Sequence, residues 1–308
     1  MACSSPPWPS PAASSLRAVS LLHHRLLARV EGALREHVDR VVGPGCPPRL
    51  AAAQRHALFP GGQRLRPSLC LVVALAEGDA RPRVATGAAV AVELLHSASL
   101  VHDDLPCFDD APTRRGLPSV HARFGEPLAV LTGDALIAQS FEALGRAIAD
   151  APDALPALPA LLSALAAAAG TTRGLLAGQA WESEPSAPLD EYHRAKTASL
   201  FEASAAMGAI AAGVAPERWR AVGELVGLAY QALDDVRDAV GDAARLGKPT
   251  GQDAALGRPS LVRASGLEGA RRRVRERLDA AASAVPACGG EALVHTWLSA
   301  FGERLEGA

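Results

Sequence analysis

An apolar run from Val84 to Val101 ends in His102-Asp103-Asp104-Leu105-Pro106-Cys107-Phe108-Asp109-Asp110, with Arg114-Arg115 close behind. Carboxylates crowded at the mouth of an apolar wall repel one another, and their desolvation is costly unless a positive group joins them. Two arrangements relieve that cost: a solvated helix end, or a divalent metal site. Hard oxygen ligands suit Mg²⁺, which is usually held by one or two carboxylates together with substrate phosphates. An adjacent arginine pair can then grip phosphate oxygens bidentately. Pro106 must break the helix, because on an ideal helix Asp109 would point about 120° away from Asp103. His96 lies seven residues before Asp103, about 20° off the same face and roughly 10 Å below it. There it serves either as a core histidine or as a contact to a second anion.

The rest of the chain reads as helix. It is 49% hydrophobic but only 4% aromatic, and its Ala and Leu favour helices while supplying apolar surface for a large core. Expected helices run over 16–42, up to Phe59, 66–77, 83–104, 126–150, 155–181, around Lys196-Thr197, from Pro216 through Leu233, and beyond 260. No strand-like alternation with hairpin turns is visible, so the expected fold is an all-α, single-domain bundle of about ten or more helices around a central apolar cavity. Residues 1–15 are rich in Pro, Ser and Ala and are expected to be a disordered tail before a domain over 16–308. They lack the pattern of a secretory signal. The apolar run Ala154–Ala169 is too short and too rich in Ala for a membrane span, and it holds Pro156 and Pro159. A net charge of −2 gives no reason to expect nucleic acid or an anionic membrane as partner. Five scattered cysteines read as reduced thiols of a cytoplasmic protein. Of 31 basic residues only Lys196 and Lys248 are lysines, which suggests that a compact ammonium matters at those two points.

A second acidic cluster lies in Gln231-Ala232-Leu233-Asp234-Asp235-Val236-Arg237-Asp238. Asp234 and Asp238 fall about 40° apart on one helical face. Two such clusters, each closing a long apolar helix, could face one another and share Mg²⁺ ions bound to one diphosphate. The turn Gly61-Gly62-Gln63-Arg64-Leu65-Arg66-Pro67 adds paired glycines that admit close backbone approach, and arginines that suit an anion. With Gly133-Asp134, Gly178-Gln179, Lys196-Thr197, Tyr230-Gln231 and Gly247-Lys248 in the same order, the chain resembles the trans-type isoprenyl diphosphate synthases from about Phe59 to Ser260. The LVHDDLPCFDD stretch looks most like the bacterial geranylgeranyl diphosphate synthases that feed carotenoid and photosynthetic pigment pathways.

The resemblance implies an isoprenoid-synthase fold, Mg²⁺ as cofactor (three ions with bound diphosphate), isopentenyl and allylic diphosphates as substrates, and a homodimer. Carried over residue by residue, it makes Asp103, Asp104, Asp109, Asp234, Asp235 and Asp238 the metal ligands. Arg114, Lys196, Thr197, Gln231 and Lys248 would hold the allylic diphosphate, and Arg66, His96 and Arg115 isopentenyl diphosphate. Many relatives have Lys where this chain has Gln63, and acidic residues where it has Ala111-Pro112. The first removes a charge from the isopentenyl site. Product length is expected to depend on Ala98, five residues before the first aspartate, with Ser99 beside it and Leu94 or Leu95 one turn deeper. Small side chains at 98 and 99 point to a twenty-carbon product. The alternatives are a farnesyl diphosphate synthase, a class I terpene cyclase, whose second motif would mix Asn, Ser/Thr and Glu, and a non-catalytic synthase subunit.

Overall fold

The computed structural model describes residues 13–59, 61–240 and 259–306. The expected tail over 1–12, Lys248 and most of the Gly/Pro-rich loop before residue 260 lie outside the described residues. Helix α1 (Ala13–Val41) begins inside the expected tail. Its stripe Leu26, Val30, Leu34 and Val38 is buried, the spacing of one helical face. Helix α2 (Pro48–Leu58) follows a turn at Gly45.

Helices α3 (Leu65–Ala76) and α4 (Pro82–Asp103) form the centre. In α3 every residue except Leu75 is buried, the signature of a helix apolar all round. After a short α5 (Val120–Phe124), α6 (Glu126–Ala149) packs along α4. An ideal Cβ on Gly87 would lie 2.3 Å from Ala147, and one on Gly133 would meet the His102 ring. The α4–α6 seam is therefore closed by small residues at both ends.

The expected helix 155–181 is broken into pieces: a 3₁₀ segment (Pro152–Ala157), α7 (Leu158–Ala169), α8 (Leu175–Ala180) and a 3₁₀ turn (Trp181–Ser183). The break falls between Gly170 and Gly174. A side chain on Gly174 would collide with the Gly170 nitrogen at 2.3 Å and the Ala167 and Ala168 carbonyls at 2.6 Å. Only glycine lets the chain fold so tightly against the end of α7.

The helix around Lys196 is likewise composite. A five-residue α9 (Leu189–His193) runs into a π-helical turn (Arg194–Ala198) and then into α10 (Ser199–Ala212), a core helix with eleven buried residues. Helix α11 (Glu217–Val240) carries the second acidic cluster and packs on α10 and on α12 (Leu261–Ser283), which kinks at Gly266. Helix α13 (Glu291–Glu306) closes the chain's described part against α3 and α1.

One departure from the all-helical expectation is a two-residue hairpin. Strands β1 (Thr113–Arg114) and β2 (Leu117–Pro118) pair antiparallel. Arg115 and Gly116 supply the turn, both at positive φ, as a tight hairpin turn of this twist requires.

Two described stretches have the length and apolarity to cross a bilayer, Pro82–Asp103 and Pro152–Ala169. The first is the buried α4. The second contains three prolines and folds as a 3₁₀ segment followed by α7.

Candidate active site

Helix α4 delivers the first cluster. Beyond its end the chain turns back through Leu105 N–H to the His102 carbonyl (3.1 Å) and Phe108 N–H to the Leu105 carbonyl (2.9 Å). Asp109 N–H then donates to the Asp103 carbonyl at 3.0 Å, so the turn expected at Pro106 returns Asp109 to Asp103. Carboxylate oxygens of Asp103, Asp109 and Glu182 lie within 4.8 Å of one another. Asp104 points elsewhere. It is buried, and Arg114 Nε donates to its two oxygens at 2.9 and 3.2 Å, with Arg114 Nη2 also on Oδ1. Burial pushes the Asp104 carboxyl above its usual range, against the pull of Arg114. Arg114 also comes within 3.9 Å of Asp103.

The π-helical turn connects the two acidic clusters. Lys196 Nζ contacts Glu182 and lies 3.5 Å from Asp103 Oδ1. Next to it, the Thr197 hydroxyl donates to Gln231 Oε1 on α11. Gln231 Nε2 in turn donates to Asp235 Oδ1 at 2.8 Å. An ideal Cβ on Gly178 of α8 would stand 2.3 Å from Lys196 Cα and 2.4 Å from its nitrogen. The backbones of α8 and the π turn therefore touch at the point that carries both substrate-binding candidates.

On α11, Asp234 and Asp238 are half-buried and share the expected face, while Asp235 is buried. Asp235 Oδ2 accepts the Leu261 N–H at the start of α12 (2.6 Å) and lies 3.5 Å from His193 Nε2. To ligate an ion, Asp104 and Asp235 would have to use lone pairs beyond those engaged by Arg114 and by Gln231 and the Leu261 N–H, or exchange these partners.

A cationic wall lies beside these carboxylates. Arg66 of α3 sits 3.3 Å from His96 Nε2, and its guanidinium covers the rings of Phe201 (4.4 Å) and Tyr230 (5.5 Å). Its buried Nε has no hydrogen-bond partner. Burial holds the Arg66 pKa below its ordinary value, although Tyr230, Glu93 and Asp234 oppose the shift. Arg115, at the hairpin turn, is likewise lowered by burial and by Arg64 and Arg114, with Glu93 opposing. Burial, then Arg66 and Arg115, push His96 well below the usual histidine value. Buried cations that disfavour one another are relieved by an anion, and a diphosphate supplies one.

Arg64 behaves differently. It adopts φ +49° at the start of α3 and donates to Glu31 (2.7 Å), Glu93 (2.5 Å) and the Leu58 carbonyl (2.7 Å). Burial works against its charge, but Glu93 and Glu31 outweigh it and raise the pKa. Arg64 is thus structural, while Arg66, two residues on, faces the site. Gln63 is exposed on the same turn.

The chain-length candidates divide between faces of α4. Leu94, Leu95 and Ala98 are buried. Ala98 lies between Gly87 and His102 in angle, about 140° from Asp103 and facing α6, whereas Ser99 lies about 40° from Asp103. Ser99 is half-buried and donates to the His96 carbonyl at 2.8 Å.

The polyprenyl synthetase family model matches residues 47–292. The chain belongs to that family. It is 50% identical over 277 residues to a geranylgeranyl diphosphate synthase of Cereibacter sphaeroides, covering 90% of this chain and 95% of that relative. A second relative, a geranylgeranyl diphosphate synthase of Rhodobacter capsulatus, is 46% identical over the same shares. Among solved structures, a geranyltransferase from Helicobacter pylori complexed with magnesium and isoprenyl diphosphate superposes with a TM-score of 0.80 at 30% identity, over 96% of this chain and 100% of that one.

As a polyprenyl synthetase the chain needs an acidic metal site, and hard carboxylate oxygens clustered within 4.8 Å fit Mg²⁺. Three residues of this region carry little local signal. Glu93 is the only acidic residue of the apolar run, and Arg64 lies within a basic turn whose spacing does not separate it from Arg66. Glu182, three residues after Gln179, carried no spacing signal because its partners come from other segments.

Proposed function

We propose that this polyprenyl synthetase is a Mg²⁺-dependent geranylgeranyl diphosphate synthase, condensing isopentenyl diphosphate with an allylic diphosphate. The observation that carries this reading is the 50% identity across nearly the full length of both chains. The acidic and cationic groups gathered around Lys196 and Thr197 support it.

Asp103 at the end of α4 and Asp109 in the turn after it, with Asp234 and Asp238 from α11, would hold the metal, in three ions with the diphosphate. Asp104 and Asp235 would join through their remaining lone pairs or by exchanging partners. Held there, Mg²⁺ would neutralise diphosphate charge and make it a better leaving group. Lys196, Thr197 and Gln231 hold the allylic diphosphate, helped by Arg114 and Lys248. Arg66, His96 and Arg115 hold isopentenyl diphosphate. In the substrate-free site, burial and the neighbouring arginines hold the His96 pKa low, and a bound diphosphate would oppose that shift. The allylic C–O bond breaks with its electron pair leaving on diphosphate, and these fixed donors stabilise the charge that develops there. The double bond of isopentenyl diphosphate attacks the resulting cation, a proton is lost, and the products are a chain five carbons longer and free diphosphate. Apolar walls from α4 exclude water that would quench the cation.

A homodimer in the cytoplasm completes the proposal. Purified protein incubated with Mg²⁺, isopentenyl diphosphate and each allylic starter should give mainly a twenty-carbon product. Asp103→Asn and Asp234→Asn should each lower turnover by orders of magnitude with the helical fold intact. Near-normal rates in either variant, or full activity in excess chelator, would refute the metal assignment. A fifteen-carbon main product would favour farnesyl diphosphate synthesis instead.

A further inference from the structure

We propose that Glu182 is the positioning residue for Lys196, fixing its ammonium beside Asp103 so that it meets the allylic diphosphate; this rests on the reading above that Lys196 holds that substrate. A lysine ammonium sits on a flexible four-carbon stem, so its location must be set by partners. Here the principal partner is Glu182, whose side chain is only 8% exposed. Its Oε1 takes both the Lys196 ammonium and the Tyr192 hydroxyl, the latter at 2.6 Å, while Gln179 Nε2 reaches Oε2 at 3.3 Å. Tyr192 also places its ring 5.9 Å beneath the ammonium.

Among the described residues the carboxylate is thus tied to side chains from α8, α9 and the π turn. Among the described residues the other carboxylate beside the ammonium is Asp103, at 3.5 Å. Without Glu182, Lys196 would close on a metal-binding carboxylate instead of projecting toward the diphosphate. Glu182 also lies close enough to Asp103 and Asp109 to be a ligand itself. A carboxylate has about four acceptor positions, and among the described residues Gln179, Tyr192 and Lys196 engage it, which makes it a hub for the lysine.

The test compares Glu182→Gln and Glu182→Asp in the full chain, with Lys196→Met alone and combined with Glu182→Gln. Glu182→Gln should raise the KM for the allylic diphosphate about ten-fold or more and leave the KM for isopentenyl diphosphate unchanged. Mn²⁺ binding to the substrate-free protein, followed by electron paramagnetic resonance, should be unaltered. Glu182→Asp should recover much of the loss, and Glu182→Gln should add nothing in the Lys196→Met background. Weakened Mn²⁺ binding in Glu182→Gln would make Glu182 a metal ligand and overturn the proposal. So would full additivity with Lys196→Met, or equal changes in both KM values alongside a lowered Tm. A wild type without prenyl elongation would instead overturn the functional reading on which the proposal stands.

Discussion

Gly178→Ala is the substitution whose effect follows most directly from the packing. The added Cβ would lie 2.3 Å from Lys196 Cα, 2.4 Å from its nitrogen and 2.7 Å from its Cβ. Two of these are backbone atoms, so no rotamer change relieves the clash. Reaching ordinary contact needs the π turn to move away from α8 by about 1 Å, an overpacking that costs roughly 1–3 kcal/mol. The larger effect is on chemistry, because Lys196 and Thr197 ride on the displaced turn. A misplacement of about 1 Å at a substrate-positioning group can lower the rate on the order of 100-fold. Steady-state kinetics with Mg²⁺ and both substrates should show kcat/KM reduced by about that factor, with helical circular dichroism retained and a modestly lower Tm. Gly145→Ala in α6 is the control. Nothing lies within 4 Å of its Cβ, and alanine in a helix should be neutral or stabilising by about 0.5–1 kcal/mol. Wild-type kinetics in Gly178→Ala would refute the claim that contact between α8 and the π turn sets the lysine.

Three further outcomes are expected. Ala98→Tyr should shorten the main product from twenty to fifteen carbons with metal dependence retained, read by sizing the products; an unchanged product from it, with shortening by Ser99→Tyr, would move the ruler to the Asp103 face of α4. Gln63→Lys should lower the KM for isopentenyl diphosphate and spare the allylic KM. Because residue 63 is exposed, the gain should be only about 0.2–1 kcal/mol. His96 is held neutral by burial and by Arg66 and Arg115, whereas in the unfolded chain it titrates near its usual value of about 6.5. Below that pH the unfolded state binds the extra proton, so this contribution to stability is present above it and is lost as pH falls toward the folded value. Tm measured across acid pH should therefore fall less steeply in His96→Gln than in wild type.

Much of the molecule was legible in the residue order because the relevant signals are local. The stripe of α1, the capacity of α4 to be a core helix, the turn after Pro106 and the shared face of Asp234 and Asp238 all depend on spacing along one segment. Lys196 stands out by composition, as one of only two lysines among 31 basic residues. The break between Gly170 and Gly174 was missed, because an apolar Ala/Leu run continues the helical pattern on both sides. The π turn at Lys196 was missed because nothing in five residues distinguishes it from an ordinary helical turn.

What the sequence alone determined was the set of elements and the chemistry they carry: helices from periodicity, and two carboxylate clusters and basic residues from composition and order. Only the tertiary structure decided what surrounds individual aspartates, with Asp104 clasped by Arg114 and Asp235 held by Gln231 and the start of α12. It likewise separated Arg64, satisfied by Glu31 and Glu93, from Arg66, left to face the site, and it brought Glu182 beside Asp103. Adjacent residues on a helix point about 100° apart, so neighbours in sequence meet different surroundings. What those surroundings contain is fixed by segments tens of residues away, and no local spacing encodes them.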